Sequence, residues 1–464
     1  MAPGLPTAMD RPHFIGIGGA GMSGIAKILA QRGATVAGSD AKESATAEAL
    51  RALGATVHIG HAAGHLATDA SCVVVSSAIR TDNPELARAA ELGIPVVHRS
   101  DALARLMDGL RPIAVAGTHG KTTTTSMLAV SLSTLGLKPS YAIGGDLDAP
   151  GSNALHGEGD IFVAEADESD RSFHKYAPEV AIILNAELDH HANYASLEEI
   201  YESFERFVER VTEGGTLVIS ADNEGARELT RRVRATDVEV VTYGESADAD
   251  VRVLSVVPHG LKSEVTVLLD GAELTFAVSV PGRHYAHNAV AALAAGAALG
   301  VPAAELAPAL ASYTGVKRRL QLKGEEAGVQ VVDSYAHHPT EMTADLEAMR
   351  AGASGRILVV FQPHLFSRTQ ELGKEMGQAL SLADASLVLD IYPAREDPIP
   401  GVTSELIIEA ARAADAEVTP VHDKADVPSV VAGMAKPGDL VLTMGAGDVT
   451  DLGPEILARL SKQP

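Results

Sequence analysis

Short apolar runs alternate with helix-length stretches along nearly the whole chain, and this rhythm limits what the chain can fold into. From Phe14, "HFIGIGG" leads into "AGMSGIAKILAQRG"; then come "ATVAGSD", a helical pattern through "ATAEALRALG", and "CVVVSSA". Strand, helix, strand in that order predicts a parallel sheet with helices on both faces, since parallel neighbours need a long crossover. The rhythm closes near "DALARLMDGLRP" and reopens at "PIAVAGTHGKT". It continues through "DIFVAEADESD", "VAIILNAELDH" and "TLVISADN". "VRVLSVV", "EVTVLLD" and "LTFAVSV" read as antiparallel, and an Ala-rich helix is expected at roughly 286–300. After "TGVKRRLQ" the strands "VQVVDSYA", "RILVVFQP", "SLVLDIY" and "DLVLTMG" start a third series. The expectation is an α/β chain of three domains, each on a mostly parallel sheet.

A chain of 464 residues, 46% of them hydrophobic, can fill such cores. With no Trp and only 4% aromatics, they must be built from Ala, Val, Leu and Ile. The net charge of −24 repels phosphate backbones and argues against a general nucleic-acid binder. Any phosphate site must then be local, made by backbone N–H groups, a few Lys and Arg, and metal ions. The single cysteine, Cys72, forms no internal disulfide; it reads as buried and inert, in a reducing, cytoplasmic compartment. No signal segment and no apolar run long enough to span a bilayer is visible, so no membrane insertion is expected.

The stretch "GTHGKTTTTSM" ends like a phosphate-binding loop, but that pattern would place a glycine where Val115 stands. Its setting is more telling. It lies between an apolar run and a helix-compatible stretch, where glycines let the chain turn and aim N–H groups at an anion. Lys121 would reach the outer phosphates, and the Thr122 hydroxyl a Mg²⁺ ion. A Lys followed by four Thr is a poor helix opening on propensity alone, which favours a ligand over a mere capped turn. "EADESDRSF" and "NAELDHHANY" also follow apolar runs, so Glu165, Asp167, Glu168, Asp170, Asp189, His190 and His191 crowd one carboxyl edge. Either a cation sits among them or the edge is a solvated acidic rim.

Near the start, "GIGGAGMSG" carries G-x-G-x-x-G as Gly16, Gly18 and Gly21, with Asp40 about 20 residues on. That spacing suits a diphosphate ligand without distinguishing NAD from another. "VVVSSAIRTDNPE" adds a second strand-end loop with Ser76, Ser77 and Asn83.

Taken in order, "HFIGIGGAGMSGIA", "SSAIRTDNPE", "GTHGKTTT", "EADESD", "NAELDH", "GRHYAHNAVAA", "VKRRLQ", "DSYAHHPTE", "FQPHLFSRT" and "DIYPARE" resemble the Mur ligases. Among that family a G-T-x-G-K-[ST] loop is usual, so Val115 is no defect. The resemblance implies a Rossmann-like UDP-sugar domain over 1–109, a P-loop ATPase-like ATP domain over 110–315, and a Rossmann-like amino-acid domain over 316–464. It implies ATP-dependent joining of L-alanine to the carboxylate of UDP-N-acetylmuramate, via an acyl phosphate, with Mg²⁺ or Mn²⁺. ATP contacts are expected from Gly117, Thr118, His119, Gly120, Lys121, Thr122, Thr123, Asn288, Arg319 and Asp333, the last on the ribose. Thr122, Glu165 and His190 would hold metal, with Lys121, Glu165 and His190 catalytic. Gly18, Gly19, Gly21, Met22, Ser23, Asp40, Ser76 and Ser77 would meet the UDP-sugar. Tyr335, His337, His364 and Arg368 would form the amino-acid pocket. Two positions depart from the family's habit: Tyr285 where Asn is frequent, and Leu365 where Arg is common. His174 and His191 read as surface or supporting residues. Three other readings stand beside this one: an NAD-dependent oxidoreductase, a regulatory ATPase, and a sister ligase that attaches a tripeptide. Partners are expected to be small molecules.

Overall fold

The structure is a computed structural model describing residues 8–145, 147, 153–187, 194, 196–234, 236–259, 262–394 and 396–462. It forms two compact units: Met1–Ser255 with Thr266–Phe276 and His287–Tyr313, and Val256–Val265 with Ala277–Ala286 and Thr314–Pro464.

The first unit opens with strands β1 (Pro12–Ile15), β2 (Ala37–Asp40), β3 (Thr56–Ile59), β4 (Cys72–Val75) and β5 (Val96–His98). Their order is β3-β2-β1-β4-β5, and every pair is parallel. The order reverses between β1 and β4, so the loops after these two strands flank a crevice at the carboxyl edge. The helices start where the sequence supplies acceptors. Ser44 caps Ala45–Ala52, and Asn83 caps Pro84–Leu92, whose Pro at the first position costs no hydrogen bond.

A second sheet follows: β6 (Arg111–Ala116), β7 (Ser140–Ala142), β8 (Ala154–Leu155), β9 (Ile161–Glu165), β10 (Val180–Ile183), β11 (Thr216–Ser220), β12 (Glu239–Gly244), β13 (Val251–His259), β14 (Lys262–Leu269) and β15 (Ala272–Val278). Its order is β15-β14-β13-β12-β11-β10-β6-β9-β7-β8. β6 therefore lies between β9 and β10, parallel to both. Ile113 through Ala116 are fully buried, as expected of a parallel strand covered on both faces. The Ala-rich helix spans Arg283–Ala298.

The second unit holds β16 (Gln321–Glu326), β17 (Val329–Ser334), β18 (Ile357–Phe361), β19 (Ala385–Leu389), β20 (Val418–Val421) and β21 (Leu440–Met444), in the order β16-β17-β21-β18-β19-β20. Among these six strands β16 pairs antiparallel with β17, and the other pairs are parallel.

Candidate active site

Because β6 is flanked by β9 and β10, three segments meet at one carboxyl edge: residues 117–120, the acidic loop after Glu165, and residues 184–187 after Ile183. The first must turn sharply. Gly117 has φ +137°, and a Cβ there would stand 3.1 Å from the Leu184 side chain and 3.2 Å from the Leu184 and Asn185 backbone nitrogens. Gly120, at φ +85°, would drive a Cβ to 2.8 Å from Asn288 Oδ1. Both positions therefore demand glycine. Asn185 clamps the turn, accepting from the His119 N–H at 2.8 Å and donating to the His119 carbonyl at 3.1 Å. The Thr118 hydroxyl accepts from the Glu187 N–H at 2.9 Å.

The helix Lys121–Thr134 explains how its polar opening is tolerated. The hydroxyls of Thr125, Ser126, Ser131, Ser133 and Thr134 each donate to the carbonyl four residues back. These five side chains, which compete with the backbone elsewhere, are here satisfied by it, while Thr123 is buried and Thr124 Oγ1 is buried with no hydrogen-bond partner among the described residues.

Lys121 Nζ is surrounded by acceptors: the Gly117 carbonyl at 2.6 Å, the Thr118 carbonyl at 3.3 Å, and Glu168 at 2.8 Å. Burial alone would lower its pKa, but Glu168, Asp167 and Glu165 together hold it above the usual lysine range. Thr122 Oγ1 donates to Glu165 Oε2 at 3.0 Å, and the Gly144 N–H reaches the same oxygen at 2.7 Å. Burial pushes the Glu165 carboxyl up against the pull of Lys121. The donor set fits a hard divalent cation: a hydroxyl and a carboxylate already share one spot, and a cation there would relieve the burial of Glu165. His190, with Asp189 and His191, lies outside the described residues. Asn288 is almost fully buried beside Gly120.

In the first sheet, Gly16 takes φ +79° and the Gly18 N–H donates to Asp40 Oδ2 at 2.8 Å. Asp40, expected to meet the UDP-sugar, thus also holds the glycine loop. Gly19 is the N-cap of the helix Ala20–Gln31. Met22 packs in the core and Ser23 is buried, its hydroxyl accepting from Asn153 Nδ2 at 3.3 Å. Both side chains are thus withdrawn from solvent. Ser76 follows β4, and Ser77 Oγ donates to Asp170 Oδ2 at 3.1 Å. Asn83 is the helix cap described above. Cys72 is buried, which raises its thiol pKa. His174 is part-buried, its Nε2 2.8 Å from the Ser203 carbonyl.

The second unit assembles the remaining residues at the carboxyl ends of β17 and β18. His337 Nδ1 lies 2.9 Å from the Tyr335 carbonyl. Burial, with Arg368 and Arg319 nearby, outweighs Glu341 and the Tyr335 carbonyl and lowers its pKa to about 4. The ring is neutral near pH 7, and an Nδ1–H donated to that carbonyl leaves Nε2 as an acceptor. His364 stacks on Tyr392 and lies 3.4 Å from Arg368 Nη1. Arg318 and Arg319 both cover the Tyr335 ring, at 4.9 and 5.2 Å. Asp333 is fully buried, taking hydroxyls from Thr443 at 2.7 Å and Thr450 at 2.6 Å, with Arg318 Nε at 3.5 Å. Leu365 opens the helix Phe366–Leu380 at φ +73° and ψ 138°, a conformation suited to glycine. Tyr285 is buried with its ring tilted over His284 at 4.4 Å.

Sequence reasoning gave no role to two charged residues at these sites. Arg99 sits in no quoted motif, and Arg318 stands in "VKRRLQ", where only its neighbour Arg319 was assigned. Glu168 stood in the acidic run, but only the folded loop selects it as the lysine's partner.

Three family models match in sequence order: Mur ligase family, catalytic domain, over residues 11–111; Mur ligase middle domain, over 115–296; and Mur ligase, glutamate ligase domain, over 318–447. The chain is 89% identical over 464 residues to a UDP-N-acetylmuramate–L-alanine ligase of Streptomyces avermitilis, covering all of both chains. Among solved structures it is similar to the UDP-N-acetylmuramate–alanine ligase of Thermotoga maritima, with TM-score 0.81, 29% identity, and 97% and 98% of the two chains covered. It is also similar to a UDP-N-acetylmuramate:L-alanyl-γ-D-glutamyl-meso-diaminopimelate ligase of Neisseria meningitides, with TM-score 0.61, 30% identity, and 67% and 100% covered.

Proposed function

The chain belongs to the Mur ligase family, and we propose from that premise how its residues divide the work. It is an ATP-dependent ligase that joins L-alanine to the carboxylate of UDP-N-acetylmuramate in peptidoglycan precursor synthesis. The oxidoreductase and regulatory-ATPase readings give way to this one.

A carboxylate does not react with an amine, because its leaving group would be an oxide. Phosphorylation removes that obstacle. A muramoyl carboxylate oxygen attacks the γ-phosphorus of ATP, the bond to the β-phosphate oxygen breaks, and ADP leaves with the electron pair. The amine of L-alanine then attacks the acyl carbon. The tetrahedral adduct collapses to amide and inorganic phosphate, and the ammonium proton passes to solvent or phosphate.

In this reading the loop 117–123 takes the ATP phosphates. Lys121 exchanges its carbonyl and Glu168 partners for phosphate oxygens and stabilises charge developing on the transferring group. Mg²⁺, or Mn²⁺, would be held by Thr122, Glu165 and His190, and when bound supplies positive charge between two anions that otherwise repel. Asn288 borders the loop on the side assigned to adenine. Arg319 is assigned to ATP as well. Asp333, assigned to the ribose, is fully buried here and also anchors Arg318 and two threonines.

The glycine loop of the first sheet, with Asp40, Ser76 and Ser77, is assigned to the UDP-sugar. Met22 and Ser23 would serve through the helix backbone alone. Arg368 suits the alanine carboxylate, since a guanidinium pairs with it through two parallel hydrogen bonds. His337, a base far too weak to strip an ammonium, would instead accept a hydrogen bond from it. Among the described residues no helix is long and apolar enough to cross a membrane. A cytoplasmic setting suits nucleotide substrates and a lone buried cysteine.

The observation that carries this reading is the placement of Lys121 and Thr122 against Glu168 and Glu165 at one sheet edge. Phosphate release with ATP and UDP-N-acetylmuramate tests it, comparing L-Ala, Gly, L-Ser and the L-Ala-γ-D-Glu-meso-diaminopimelate tripeptide. L-Ala is expected to give the highest kcat/KM. Preference for the tripeptide would overturn the assignment of the pocket.

A further inference from the structure

Arg99 opens the helix Arg99–Met107, directly after β5. Its guanidinium is mostly withdrawn from solvent and faces two ways. Nη2 donates to Asp167 Oδ2 at 3.2 Å and to Asp170 Oδ2 at 3.3 Å, both in the acidic loop after β9. Nη1 lies against the glycine loop, where a Cβ built on Gly21 would stand 3.1 Å from it. Gly21 belongs to the first turn of the helix Ala20–Gln31. That turn is itself positive, because its N–H groups lack intrahelical acceptors and the peptide dipoles add. A cation held against a helix N-terminus is a like-signed pair. Asp167 and Asp170 offset the charge from one side, leaving the side toward Gly21 suited to an anion.

We propose that Arg99 is a substrate-binding residue whose Nη1 edge takes a phosphate oxygen of the diphosphate seated on Gly18 to Gly21, while Nη2 stays tethered to Asp167 and Asp170. This rests on assigning the first sheet to the UDP-sugar. A planar guanidinium suits the task, offering separate N–H groups to the two anions without losing its charge. The tether also ties the diphosphate to the loop that begins at Glu165, so the sugar is gripped from the same loop that serves ATP.

Calorimetry with UDP-N-acetylmuramate, and separately with ADP, tests this on Arg99→Ala, Arg99→Lys, Asp170→Asn and Gly18→Val. Arg99→Ala should weaken the UDP-sugar roughly ten- to a hundredfold, the size of a charge-assisted hydrogen bond, and leave ADP affinity unchanged. Arg99→Lys should fall between it and the wild type. Asp170→Asn should cost less than about fivefold, the size of one part-exposed ion pair, since Arg99 remains. Retained ADP binding shows that each variant is folded. Unchanged UDP-sugar affinity in Arg99→Ala would overturn the proposal. So would an Asp170→Asn loss equal to that of Arg99→Ala, which would make Arg99 a clamp only. Gly18→Val separates the two levels of the argument. If it abolishes UDP-sugar binding while Arg99→Ala does not alter it, Arg99 alone was misassigned. If Gly18→Val binds normally, the assignment of the first sheet fails, and the proposal with it.

Discussion

Lys121 is the residue on which the proposed chemistry turns. Its ammonium already neutralises Glu168 and anchors two loop carbonyls, so its removal loosens the turn and, on the proposed role, takes the cation away from the transferring phosphoryl group. Lys121→Ala should lower kcat by at least ~10²-fold while the protein stays folded by circular dichroism. A near-wild-type rate would contradict the phosphate-loop role. His337 gives a test of another kind. Its pKa is lowered from an ordinary 6.5 to about 4, burial being the main cause. As pH falls, the unfolded chain takes up that proton first. The stability this histidine contributes is therefore complete above pH 6.5 and lost as pH drops toward 4, a change of about 3 kcal/mol. His337→Asn should flatten the pH dependence of the urea midpoint across that window. Parallel losses in wild type and variant would show that the ring titrates freely.

At the scale of elements, what was legible in the sequence was what local pattern controls. Apolar runs marked β1, β4, β6, β9, β10, β17, β18, β19 and β21, because strands buried on both faces need unbroken apolar stretches. The Ala-rich helix lies within a few residues of its expected place, over Arg283–Ala298. β16, in contrast, reads "QLKGEE", an edge strand held by pairing with β17 rather than by apolar content, and pattern does not reveal it. The site divides in the same way. Residues fixed by spacing within one loop, such as Gly117, Gly120, Lys121 and Thr122, were readable. Arg99 was not, because its partners lie 68 and 71 residues away. Leu365 shows a departure whose cost only the structure reveals. At φ +73° it stores strain where the helix carrying Arg368 begins. Leu365→Gly should be at least as stable as the wild type in thermal melts, whereas Leu365→Val, β-branched, should lose more than about 1 kcal/mol. The reverse ranking would mean that the backbone there is not strained.

At the scale of the whole molecule, the proposed function assigns one reactant to each of the three sheets, and the reaction joins what they are assigned to hold. The central claim is that ATP is spent on the muramoyl carboxylate itself, and not on a separate conformational step. Isotope transfer tests this most directly. UDP-N-acetylmuramate labelled with ¹⁸O in both carboxylate oxygens is turned over with ATP and L-alanine, and the released phosphate is examined by mass spectrometry. An acyl phosphate requires one labelled oxygen to leave with phosphorus, so the account predicts one ¹⁸O in the inorganic phosphate for every amide formed. Inorganic phosphate without label, alongside normal amide formation, would contradict it.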